Sequence, residues 1–153
     1  MTATPTRQRP AVNLDNSFFF ESLAQGRLTI QQCTECRTHR HPPVPMCPRC
    51  HSLSWQADEV SGHGTLTTYT ALYHPVLPPF VPGYLVGLVE LDEGVRVVVN
   101  LEFAEDEARI GMPVDVVPQR YDDDLVLPAG YIPGRPHVVV SSTESAVAQE
   151  SRS

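Results

Sequence analysis

Four cysteines, the only ones in the chain, stand as two matched pairs: Cys33-Thr34-Glu35-Cys36 and Cys47-Pro48-Arg49-Cys50, with ten residues between them. A C-x2-C turn points both sulfurs of a pair at one centre while its backbone amides face the thiolates. Two such turns supply four thiolates, which fill a tetrahedron around zinc and leave no position for water. Cys33, Cys36, Cys47 and Cys50 are therefore expected to hold one structural zinc ion rather than a catalytic one. Two disulfides are the alternative, but a C-x2-C disulfide is strained, and the N-terminus lacks the apolar core of a secretory signal. A redox-active pair would stand alone beside a helix start. Short strands leading in and out, Leu28 to Gln32 and Ser54 to Val60, complete a zinc ribbon.

Three histidines, His39, His41 and His51, crowd the cysteines, yet with four sulfurs present none is needed as a ligand. Arg37, Arg40 and Arg49 lie among them and make the one basic cluster of an acidic protein. Four thiolates and a zinc ion sum to a charge of −2, so these arginines partly neutralise the cluster. What remains can meet an acidic partner surface or the phosphates of a nucleotide-like ligand. Ahead of the ribbon, a helix is expected from Asn13 to Gln25, with an asparagine or aspartate at its start and Gly26 as a left-handed stop. Phe18, Phe19 and Phe20 spread around such a helix and cannot all face one core. Either Phe18 and a neighbour pack on the chain's own sheet, or one or two of the three are anchors for another protein.

After Gly62 and Gly64 the pattern changes to strands. Thr65 to Tyr73 is β-branched and aromatic, Tyr84 to Leu91 is almost wholly apolar, and Val95 to Phe103 returns after an Asp92-Glu93-Gly94 turn. Val114 to Val117 and Leu125 to Ile132 follow, separated by the acidic turn Asp122 to Asp124. Five short strands with a long connection after the first suit a small closed barrel of the OB type, and a sandwich fits the same pattern. The proline-stiffened loop from His74 to Pro82, which includes Phe80, is either a cap on the open end of the barrel or a docking or acyl-contact surface. The expected organisation is an unstructured 1–12, helix and ribbon over 13–60, barrel over 61–140 and an unstructured tail over 141–153.

The formal charge is −7, and all eleven basic residues are arginines. Without lysine the chain cannot form a Schiff base or a phosphate-loop contact of its own. Residues 61–140 carry four arginines against eleven acidic residues, which argues against a nucleic-acid coat. No apolar run approaches the roughly 18 residues of a membrane span, so a cytoplasmic protein is expected. No dinucleotide fingerprint, metallohydrolase helix or nucleophile motif occurs, and Asp122 to Asp124 reads as a solvated turn.

The order of these pieces resembles a family of OB-fold proteins with a rubredoxin-like zinc ribbon, formerly a domain of unknown function and often called acyl-CoA-associated. The matching residues are 19–28 (Phe-Phe-Glu-Ser-Leu-Ala-Gln-Gly-Arg-Leu), Gln31 to Cys36, His41-Pro42-Pro43 with Met46 to Cys50, Gly62 to Leu66 with Thr68 to Thr70, and Ile110 to Val114. The chain departs from the pattern where a glycine commonly follows the second cysteine of each knuckle, for Arg37 and His51 stand there. The resemblance implies a mainly β protein with an N-terminal helix, a rubredoxin-like zinc ribbon and a C-terminal five-stranded OB barrel. It also implies a non-catalytic accessory subunit of a CoA-thioester enzyme, such as a thiolase-like aldolase of sterol side-chain breakdown, in a hetero-oligomer. Phe18, Phe19, Phe20, Phe80, Arg37, Arg40 and Arg49 are then the candidate contacts to that partner or to CoA. An acyl-CoA-binding protein or hydratase-associated subunit is the alternative, and an oligonucleotide-binding module the third reading.

Overall fold

The first helix begins later than its apolar pattern because two asparagines hold the preceding turn. Asn16 Oδ1 accepts the Asn13 amide at 2.8 Å, and Asn13 Oδ1 accepts the amides of Asp15 and Asn16 at 2.9 and 3.2 Å. These side chains therefore give the backbone a local alternative to helix, and α1 runs only from Ser17 to Ala24. Its stop is as expected: Gly26 is left-handed (φ 79°), its amide donates to Leu23 O at 2.9 Å, and the Arg27 amide donates to Ser22 O at 2.9 Å.

A computed structural model describes residues 7–137. After α1 come β1 (Thr29–Cys33), β2 (His39–Arg40) and β3 (Trp55–Glu59), then β4 (His63–Leu72), β5 (Tyr84–Leu91), β6 (Arg96–Leu101), β7 (Pro113–Asp122) and β8 (Leu125–Tyr131). The first three strands form a sheet with β1 in the middle, antiparallel to both neighbours. The other five close into a barrel in the order β4-β5-β6-β8-β7, the arrangement of an OB fold. All barrel pairings are antiparallel except β6 with β8, where Asn100 lies beside Ala129 and Leu101 beside Gly130. An odd number of strands cannot alternate direction all the way round a closed ring, so one parallel pair is unavoidable.

Alternation fills the barrel. Leu85, Val89 and Leu91 of β5 and Val97, Val99 and Leu101 of β6 are buried, as are Leu66, Val114 and Val116. Phe19 and Leu23 of α1 and Leu28, Ile30 and Val60 of the ribbon join the same apolar cluster. One continuous core thus runs from helix through ribbon into barrel, and it fixes the cysteine-bearing sheet relative to the barrel.

Residues 7–12 form neither helix nor strand, yet their arginines hold them to the barrel. Arg9 donates to both carboxylate oxygens of Asp122 at 2.8 and 2.9 Å and also pairs with Asp124. The Arg7 guanidinium lies 3.6 Å from the ring centre of Tyr121 and 4.7 Å from that of Phe80. The acidic turn is therefore a seat for the N-terminal segment as well as a solvated loop. The tail expected from residue 141 onward lies outside the described residues. Among those described, no helix is long and apolar enough to cross a membrane.

Barrel closure between β4 and β7 depends on Gly62. Its φ is +84°, and a Cβ there would stand 2.2 Å from the carbonyl oxygen of Val116. The Val116 amide donates to Gly62 O at 2.8 Å, so the two backbones cannot separate cheaply. Gly62→Ala should lower stability by about 2–4 kcal/mol in urea unfolding, combining left-handed strain with overpacking. Gly94→Ala has the same backbone sign (φ +85°) but open space around its Cβ, and should lose only about 1 kcal/mol. Equal losses would mean that close approach is not what selects glycine at position 62.

Candidate metal centre

Two knuckles of the same design present the sulfurs. In the first, the Arg37 amide donates to Cys33 O at 3.0 Å and the Cys33 amide to Thr38 O at 3.0 Å. In the second, the His51 amide donates to Cys47 O and the Cys47 amide to Ser52 O, both at 2.9 Å. Arg37 and His51 turn the chain in the left-handed region, with φ of 63° and 61°. The knuckle keeps the conformation that glycine would adopt most easily, and these side chains accept the strain.

The knuckles converge. Cys33 Sγ lies 3.5 Å from Cys50 Sγ, Cys36 Sγ lies 3.6 Å from Cys47 Sγ, and all four sulfurs fall within 4.8 Å of one another. Disulfide sulfurs would be about 2.0 Å apart, and all four cysteines are free. Sulfurs around a tetrahedral ion with ~2.3 Å bonds stand about 3.8 Å apart, so this quartet fits such an ion without rearrangement. Cys33 and Cys47 are buried, Cys36 is half-buried and Cys50 is exposed.

The surroundings already favour thiolates on one side. The Thr38 hydroxyl and amide pull the Cys36 thiol down to about 6, and the backbone amides of Cys36 and Glu35 lower that of Cys33. The Ser52 amide acts in the same sense on Cys50. Desolvation and the three neighbouring sulfurs outweigh it and push that thiol up to about 12. Bringing all four sulfurs to the thiolate form would need a cation among them.

Few of the neighbouring polar groups are free for other work. Arg49 Nη1 donates to Thr38 Oγ1 at 3.3 Å, which puts its charge one hydrogen bond from Cys36. Arg37 is exposed. Arg40 corrects the expectation of a contact residue: it is buried, with Nε donating to Gln31 Oε1 at 2.9 Å and Nη2 to Val44 O at 3.3 Å. Gln31 also accepts the Val44 amide at 2.9 Å, and Gln32 bridges Gln56 to the Arg37 carbonyl. These buried glutamines hold the first knuckle and the proline-rich spacer in place. The family resemblance includes both glutamines, but nothing in the residues themselves marked them as the polar centre of a strand that proves to be fully buried. His39 is tied to Asp58 at 2.7 Å, His51 is exposed, and the His41 ring packs 5.0 Å from Phe19. The four-residue ligand group contains none of the three.

The aromatic candidates separate. Phe19 is 5% exposed and belongs to the core, so it is not available to a partner. Phe18 is half-buried against Trp55, with ring centres 4.8 Å apart, and Phe20 is half-buried beside Phe19. Phe80 turns back from its loop to stack on Tyr84 at 4.6 Å, while Leu77 and Val81 of the same loop remain exposed.

The knuckle strain is measurable. Arg37→Gly and His51→Gly should each raise the unfolding free energy by about 0.5–1 kcal/mol, the left-handed penalty less the added entropy of the unfolded chain. A loss of that size in thermal or urea unfolding would mean that the side chains contribute more than the backbone loses.

Residues 20–56 match the family described as ChsH2, rubredoxin-like zinc ribbon domain, and residues 57–119 the family described as ChsH2, C-terminal OB-fold domain. The chain is 48% identical over 123 residues to a probable enoyl-CoA hydratase alpha subunit of Thermomonospora curvata, covering 80% of this chain and 39% of that protein. It is 36% identical over 108 residues to the 3-oxo-4,17-pregnadiene-20-carboxyl-CoA hydratase alpha subunit of Mycobacterium tuberculosis, covering 69% of this chain and 34% of that one. The chain therefore spans little more than a third of either relative. Among solved structures it is similar to a chain of the one described as Ltp2-ChsH2(DUF35) aldolase. The identity there is 46% and the TM-score 0.77, over 81% of this chain and 98% of the other. The resemblance read from the residues is borne out: the chain belongs to the ChsH2 family, in which a rubredoxin-like zinc ribbon is followed by a C-terminal OB-fold domain.

Proposed function

We propose that this chain is a non-catalytic accessory subunit that completes a thiolase-like enzyme acting on CoA thioesters, as part of a cytoplasmic hetero-oligomer. The similarity to the chain in the Ltp2-ChsH2(DUF35) aldolase carries this reading, because the likeness takes in 98% of that chain at 46% identity. A hydratase-associated subunit is the second reading, favoured by the 48% identity to the Thermomonospora curvata protein. On either reading the chain acts beside an acyl-CoA enzyme and supplies no reacting group itself.

Cys33, Cys36, Cys47 and Cys50 would hold a structural zinc ion. Bound there, zinc offsets two of the four thiolate charges and cross-links the knuckles, with no open position for a substrate. The chain's own residues then act by position. Phe18, Phe20, Arg37 and Arg49 on the helix and ribbon, with Phe80 and the exposed Leu77 and Val81 on the barrel loop, offer the partner contacts. A lysine-dependent carbon–carbon step would have to use the partner's lysine, since this chain has none.

Co-expression with its thiolase-like partner should give a complex that co-elutes, and the partner alone should show little or no turnover. Leu77→Asp should weaken the complex about tenfold, the effect of losing roughly 1.4 kcal/mol of apolar contact. A partner fully active by itself, or a lone chain that turns over a thioester, would contradict the proposal.

A further inference from the structure

Strand β5 is apolar on both faces from Tyr84 to Val89, and only Glu90 near its end is charged on the outward side. Its inward residues fill the barrel, so the outward set of Tyr84, Val86 and Leu88 would ordinarily be polar where an antiparallel sheet meets water. Beside them on β6, Val98 stays 62% exposed. These residues floor a groove of about 860 Å³, to which Phe20 and His41 contribute from helix and ribbon and Phe80 and Arg7 from the loop and N-terminal segment. The volume lies within the range of small-molecule sites, and the lining is apolar as such sites are. In the order β4-β5-β6-β8-β7, β5 and β6 are the second and third barrel strands, whose face binds ligands in OB folds.

The polar groups at this groove are few and specific. Arg96 is tied to Glu90 at 2.9 Å. Arg7 has no carboxylate partner among the described residues, and its guanidinium is held over the rings of Tyr121 and Phe80. A guanidinium lying on aromatic faces keeps its planar fork of N–H donors for an anion. His41 keeps Nδ1 buried with no partner, and burial holds its pKa below that of ordinary imidazole, so the ring brings no fixed charge to the wall. An oligonucleotide would need several cations along this face. A phosphate near −2 would also suit the acidic barrel half less well than a single carboxylate charge.

We propose that this groove binds an apolar carboxylic acid, with its hydrocarbon skeleton on Val86, Leu88 and Val98 and its carboxylate at Arg7. The site lies on this chain alone and does not depend on the accessory-subunit reading. The skeleton can be a linear acyl chain or fused rings, since Val86, Leu88 and Val98 offer an apolar floor without a polar group to select between them.

The test uses the full chain without partner, with cis-parinaric acid as the linear probe and dehydroabietic acid as the fused-ring competitor. One or both should bind saturably, one per chain, and the tighter binder names the skeleton. Val98→Glu sets a charge on the exposed floor without touching the core, and should weaken binding about tenfold or more while unfolding stays cooperative. Arg7→Ala should remove the preference for the acid over its methyl ester and leave ester binding unchanged. Absence of saturable binding by both acids, or full affinity in Val98→Glu, overturns the proposal, as does an acid preference that survives Arg7→Ala. Any of these results leaves the partner-dependent reading to be judged by co-elution and turnover.

Discussion

Four sulfurs within 4.8 Å of one another are the constraint around which the N-terminal half is built. Their mutual repulsion as thiolates opposes the arrangement, and only an enclosed cation turns it from a liability into a cross-link. The backbone commits to that outcome beforehand. Both knuckles hold left-handed residues at a cost, and both aim backbone amides at sulfur. The loops on each side, which contain little apolar material of their own, then have a fixed shape. A sheet of three short strands could not otherwise be expected to stand as a rigid platform.

That platform matters because it shares a core with the barrel. Phe19 and Leu23 reach inward from α1, and Ile30 does so from the middle ribbon strand. Loosening the knuckles would release β1 and β2 first, and the support beneath the helix with them. In the proposed assembly this is how a metal with no reactive position would still govern activity: it would set the relative placement of Phe18, the arginine-bearing knuckles and the barrel loop, which the partner would read together.

Much of this was legible in the residues. The paired cysteines, the left-handed stop at Gly26 and the two apolar runs either side of the Asp92-Glu93-Gly94 turn are local signals, and each produced the element expected of it. Signals that depend on who lies across the gap were not legible. Arg40 looked like a surface cation because it follows Arg37 closely, but β2 is two residues long, too short to reveal which one faces Gln31. Three adjacent phenylalanines showed that they must diverge, and Phe18 with a neighbour was expected on the sheet, yet Phe19 is the fully buried one and Phe18 only half-buried. The apolar outward face of β5 looked the same as a doubly covered strand, and only the closed barrel shows it lining a groove. The N-terminal arginines likewise find Tyr121 and Asp122 more than a hundred residues away.

The proposal on which the rest depends is a closed, all-sulfur zinc centre that fixes the shape of the N-terminal half. X-ray absorption at the zinc edge of the purified, metal-replete chain tests it most directly. The account predicts about one zinc per chain with four sulfur neighbours at ~2.3 Å and no lighter ligand. Zinc well below stoichiometry, or an oxygen or nitrogen atom in its first coordination sphere, would contradict it.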